Sequence, residues 1–229
     1  MHPWRIFPDR EARAGRWHCG RERKSSVSAI LLLGLLPWVE PASAQKVKVY
    51  PLTVSIHEEM RDALNQKIVE GILKNASKLM KRNNCPVKFE LKEFKTFTSA
   101  PANIDDESDL EAVHRVPADV KVVRKINFCV GERKEDVRGC AWRPGGRQKT
   151  VIVTTFTAAH HILWLHEFGH TAGLPHRIDN DGRTLMTPCA IKNFNDRINQ
   201  DECRHFRAGP VHDYPPERVE CPTPAEGSP

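Results

Sequence analysis

Residues 166–176 read His166-Glu167-Phe168-Gly169-His170-Thr171-Ala172-Gly173-Leu174-Pro175-His176, and their spacing dictates what the surrounding fold must do. His166 and His170 are four residues apart, so on an α-helix both imidazoles leave one face and can reach one ion. Glu167 sits one step round, too displaced to be a ligand on that face but close enough to reach a water on the ion. Gly173 ends the helix, because glycine takes a positive φ cheaply and lets the chain reverse. Leu174-Pro175 carries the chain onward, proline resisting re-entry into a helix, and His176 returns as a third ligand. A lone His-x-x-x-His is usually a surface coincidence; the added Gly173 and His176 make this stretch far more specific.

Three neutral nitrogens suit Zn²⁺ and leave a position open for water. They cancel none of the ion's charge, so a bound water is acidified to a pKa of about 7. Glu167 is then the expected general base, taking the proton during attack on a carbonyl and passing it to the leaving amine. The expected function is a secreted zinc-dependent endopeptidase that uses Glu-assisted attack of a zinc-bound water. Two other readings use the same residues: a catalytically silent zinc- or peptide-binding protein on a protease scaffold, and a zinc amidase acting on cell-wall peptides.

Thr184-Leu185-Met186-Thr187-Pro188 follows shortly after His176. With the extended histidine motif, it makes the chain resemble the metzincin clan of zinc endopeptidases, in which a methionine turn lies beneath the metal. Met186 matches that methionine, and the Met-x-Pro form is closest to the matrixin and reprolysin branches. The resemblance implies an α+β, metzincin-like zincin domain. Its parts would be a twisted mixed sheet of about five strands, a long N-terminal helix, an active-site helix and a C-terminal helix. It further implies that Gly139, Cys140, Ala141 and Trp142 form the upper rim of a cleft, where an extended substrate adds to a sheet edge. Thr187 and Pro188 would help wall the specificity pocket. Arg177, after the third histidine, departs from the residues usual there in the major branches. Pro188 stands where some branches carry a tyrosine.

The 229 residues suffice for one sizeable core, and the charge of +6, half of it in the first 44 residues, is too dispersed to argue nucleic-acid binding. Residues 1–44 read as an n-region and signal peptide: Arg21, Arg23 and Lys24 precede an apolar run over residues 27–39, and Ala42-Ser43-Ala44 supplies a cleavage site. Residues 45–229 are then one catalytic domain with a Pro-rich C-terminal tail. It is expected to be secreted, extracellular or periplasmic, and monomeric. It would act on protein or peptide substrates, keep no membrane span after cleavage, and follow its leader without an inhibitory propeptide.

Beyond the leader lie Cys85, Cys129, Cys140, Cys189, Cys203 and Cys221. An even number in an exported chain implies disulfides whose connectivity the sequence leaves open. Cys129 and Cys140 flank a charged loop and can close a hairpin; Cys189 with Cys203 would pin the lower part of the site, and elimination leaves Cys85 with Cys221.

Alternating apolar residues from Val47 to Ile56 predict a strand with a break near Pro51. Met60, Leu64, Ile68, Ile72, Ala76 and Leu79 predict an amphipathic helix running to about Arg82. Strands are expected at 87–91, extending toward Phe97, at 120–130, at 139–142 and at 150–156. The histidine helix should span about 158–172 and a last helix 199–207. Residues 100–119 read as an acidic loop. Calcium would find oxygen donors there, but a solvated loop accounts for the same residues. Asp179-Asn180-Asp181-Gly182 reads as a polar turn.

Overall fold

A computed structural model describes residues 46–129, 132–141, 150–155, 160–177, 183–187 and 195–209. Eight strands and four helices follow in chain order: β1 (Lys48–His57), α1 (Gln66–Arg82), β2 (Val87–Phe97), β3 (Asn103–Ile104), α2 (Glu107–His114), β4 (Val120–Val123), β5 (Lys125–Cys129), β6 (Glu132–Val137), β7 (Gly139–Ala141), β8 (Val151–Thr154), α3 (His160–Thr171) and α4 (Gln200–Ala208). The main sheet has the order β2-β1-β4-β8-β7, and a smaller one the order β3-β5-β6. β2, β1, β4 and β8 are parallel, and β7 runs antiparallel to β8. The α+β class and the five-stranded mixed sheet therefore match the expectation; the second sheet does not figure in it.

Every residue of β4 and β8 is buried, as expected of central parallel strands covered on both faces. On one face Val54, Ile56, Val120, Val122, Val151 and Val153 pack with Leu73 and Leu79 of α1 and with Ile162 and Leu165 of α3. On the other, Val123 and Ile152 pack with Leu110 and Val113 of α2 and with Ile104 and Ile126 of the small sheet.

α1 begins at Gln66, later than the apolar spacing predicts. Asn65 caps it, its Oδ1 accepting from the Ile68 N–H at 3.1 Å, and Met60 belongs to a separate single 3-10 turn, Glu58–Met60. The buried stripe runs through Val69, Ile72, Leu73, Ala76, Leu79 and Met80, whereas Ile68 is exposed. A strict four-residue step drifts off a 3.6-residue face, which is why Ile68 falls outside the buried stripe. The predicted break in β1 is a register shift between Leu52 and Thr53.

The acidic stretch contains α2. Asp106 Oδ1 accepts from the Asp109 N–H at 3.0 Å, and Asp109 Oδ2 accepts from the Asp105 N–H at 3.0 Å. These carboxylates cap and start a helix, as acidic side chains favour. Nor is 120–130 one strand: β4 joins the main sheet and β5 the small one, with Arg124 between them. The charged loop expected between Cys129 and Cys140 includes β6, antiparallel to β5.

Cys129–Cys140 is present as expected. The second disulfide among the described residues is Cys85–Cys203. It corrects both other expected pairs, since Cys203 is not joined to Cys189 nor Cys85 to Cys221. The reason is tertiary: Cys85 follows α1, and α4 packs beside that turn, where the Asn83 side chain bonds the backbone of Asp196 and Ile198. Cys189 and Cys221 lie outside the described residues.

Lys121 in β4 is fully buried, and its Nζ has no hydrogen-bond partner among the described residues. Burial lowers its pKa from 10.5 to about 8, against the opposing pull of Asp119. The folded chain therefore binds fewer protons than the unfolded chain between those pH values, and stability rises with pH through that window. Lys121→Met is expected to stabilise the protein near pH 7 by on the order of 3 kcal/mol and to flatten the slope. Urea midpoints at pH 7 and pH 10 test this; equal slopes in variant and wild type would refute it.

Candidate metal centre

α3 follows the inner strand β8 and packs against β7, β8 and α1. Its C-terminus is a Schellman motif: Gly173 N–H donates to His170 O at 3.0 Å and Leu174 N–H to Gly169 O at 2.9 Å. Gly173 has φ 90°, the left-handed conformation its sequence position requires. The reversal brings His176 back over the helix, and the ring nitrogens of His166, His170 and His176 gather within 4.8 Å of one another.

His170 Nε2 lies 3.2 Å from His166 Nε2 and 3.1 Å from His176 Nε2. On the far side of two of the rings, His166 Nδ1 donates to the Leu185 carbonyl and His170 Nδ1 to the Leu174 carbonyl, each at 2.9 Å. A carbonyl only accepts, so both Nδ1 atoms carry the proton. Burial lowers the His166 pKa to about 4, outweighing the opposing bond to Leu185, so this ring is neutral at pH 7 and its Nε2 presents a lone pair. Three ring nitrogens gathered this closely in a largely buried place suit a cation held among them. The donor set therefore fits a metal ion, and imidazoles, two of them with carbonyl-anchored Nδ1–H groups, suit the zinc, copper, iron or nickel class.

Glu167, the residue after His166, turns its carboxylate toward β7. It is buried, and among the described residues no hydrogen-bond or ion-pair partner meets its carboxylate. Burial raises its pKa to about 8. A Cβ on Gly139 would stand 2.2 Å from Glu167 Oε1, so only glycine lets the strand lie this close to the carboxylate.

Thr184-Leu185-Met186-Thr187 forms a tight turn beneath α3, with Thr187 N–H donating to Thr184 O at 3.3 Å and Thr187 Oγ1 to the same oxygen at 3.0 Å. Met186 is buried against Gly169: a Cβ there would stand 2.4 Å from its Sδ. The turn holds the site at two points, through Leu185 O on His166 and through Met186 O, which accepts from Arg177 N–H at 2.8 Å.

Of the expected rim residues, Gly139, Cys140 and Ala141 form the antiparallel edge strand β7. Cys140 and Ala141 have buried side chains, Cys140 being in its disulfide, so this strand offers a ligand its backbone. Thr187 turns its hydroxyl into its own turn. Trp142 and Pro188 lie outside the described residues, as does the polar turn at 179–182.

Two residues of α4 escaped sequence reasoning. His205 Nδ1 donates to Ala172 O at 3.0 Å, holding the end of α3. The buried Glu202 receives Arg177 Nη1 at 3.3 Å. The signal for the second was Arg177 itself, a cation placed directly after the third histidine of the motif.

No family model matches the chain, and no curated protein does. A chain from a solved structure described as a chaperone–substrate complex aligns with 71% of this one at 14% identity and a TM-score of 0.46. The match takes in 34% of that chain's length, and a likeness this weak says nothing about what either chain does.

Proposed function

We propose that the protein is a zinc-dependent endopeptidase of the metzincin type, exported to an oxidising compartment. The observation that carries the reading is the gathering of the His166, His170 and His176 ring nitrogens within 4.8 Å of one another, with the buried Glu167 next to the first of them on the same helix. The Met186 turn supports the clan assignment, because it underlies the helix at Gly169 and braces His166 through Leu185. Two disulfides support export. No helix among the described residues is long and apolar enough to cross a membrane.

A zinc ion held by the three Nε2 atoms would supply a Lewis acid and an acidified water. The chain's own residues do the rest. The carbonyls of Leu185 and Leu174 fix two rings in the tautomer that presents Nε2. Glu167, next to the first histidine on the same helix, takes the proton from the attacking water and returns it to the leaving amine. β7, an edge strand, offers backbone groups to an extended peptide. Gly139 lets that strand lie against the base, so the scissile bond and the proton acceptor share one place.

The test is digestion of casein and of a peptide library by the purified protein, with metal analysis of the same sample. One zinc per chain is expected, with cleavage that a chelator abolishes and added zinc restores. Full zinc occupancy without cleavage of any peptide would overturn the peptidase reading.

A further inference from the structure

Glu202 lies 26 residues past the third histidine in the chain, yet it meets the two segments that complete the metal centre. Its Oε1 receives Arg177 Nη1 at 3.3 Å and Thr184 Oγ1 at 3.4 Å. Its Oε2 receives the Asn199 N–H at 2.7 Å, and Asn199 Oδ1 in turn accepts from the Glu202 N–H at 2.8 Å. Arg177 is the residue after His176, and Thr184 opens the turn whose Leu185 carbonyl holds His166. One buried carboxylate, 5% exposed, therefore faces the segment that delivers the third nitrogen and the turn that orients the first.

Its own position is fixed from three sides. The reciprocal bonds with Asn199 form a capping box that sets Glu202 in the first turn of α4. The neighbouring Cys203 is tied covalently to Cys85. One turn on, His205 holds the Ala172 carbonyl at the end of the histidine helix. A carboxylate used only to cap α4 would need Asn199 alone and could remain at the surface. Here it is desolvated, and a cation drawn from beside the metal ligand meets it.

We infer that Glu202, through Arg177, is a positioning residue of the metal centre: it fixes the chain just beyond His176 against the turn beneath the site, so that the third imidazole is already placed when the metal arrives. The inference rests on the metal-centre reading above but not on peptide hydrolysis. Groups that orient metal ligands from outside the coordination sphere change affinity by about 10- to 100-fold when removed.

The experiment measures zinc affinity by competition with a chromophoric chelator, well below the unfolding temperature, for wild type, Glu202→Gln, Arg177→Met and the double variant. Metal-free melting temperatures are recorded beside it. Each single variant is expected to weaken zinc about tenfold, and the double variant no more than the worse single one, because both break the same link. Arg177 is half-exposed, so its variant serves if Glu202→Gln does not fold. Variants that melt earlier yet bind zinc as wild type does would make Glu202 a cap of α4 only and overturn the inference. A wild-type protein that binds no zinc would overturn the metal reading as well, which distinguishes the two failures.

Discussion

Glu167→Gln is expected to retain zinc at one ion per chain and to lose peptide hydrolysis by about 10²- to 10⁴-fold, the range general acid–base catalysis contributes. The substitution is nearly isosteric, so the close approach of Gly139 remains and β7 need not move. It leaves all three nitrogens and both anchoring carbonyls in place. What it removes is a proton acceptor, since an amide cannot take the proton of the attacking water. A second readout is independent of turnover. In the metal-free protein burial raises the Glu167 pKa from 4.5 to about 8, so the unfolded chain releases this proton first as pH rises. The stability that Glu167 holds at low pH is therefore lost between those values, and the variant should lack that loss. Wild-type cleavage rates in zinc-loaded Glu167→Gln would remove Glu167 from the chemistry.

Removing the Cys85–Cys203 bridge should be the most damaging change to stability. It closes a loop of 118 residues, and chain-entropy reasoning assigns such a crosslink about 5 kcal/mol, against about 3 kcal/mol for the 11-residue loop of Cys129–Cys140. Domains of this size are stable by only about 5–15 kcal/mol. The double variant Cys85→Ala/Cys203→Ala should therefore lie near its unfolding threshold at 37 °C. Urea midpoints of the two double variants compare them directly; a larger loss from opening Cys129–Cys140 would mean that strain or residual structure, not loop length, governs this fold.

Much of the site was legible because its geometry is local. Helical spacing placed His166 and His170 together, and the demand for a left-handed residue singled out Gly173. The last helix, expected over 199–207, is α4, with Asn199 as its cap. α2 was hidden because Asp106 and Asp109, which start it, look like the solvated charges of a loop. β6 was hidden because a strand at the edge of a small sheet, Glu132 to Val137, needs no apolar alternation to pair with β5. The break at Arg124 and the partner of Cys203 depend on which sheet or helix lies alongside. Glu202 was invisible for the same reason: its worth lies in Arg177 and Thr184, which only tertiary structure brings to it.

The three histidines of the metal centre lie within eleven consecutive residues. Bringing their rings together costs little loop-closure entropy, so the segment can chelate before any strand of the sheet has paired. An unfolded chain with residual affinity subtracts from the stabilisation a ligand gives the native state. Zinc should thus raise the melting temperature by less than its affinity for the folded protein implies.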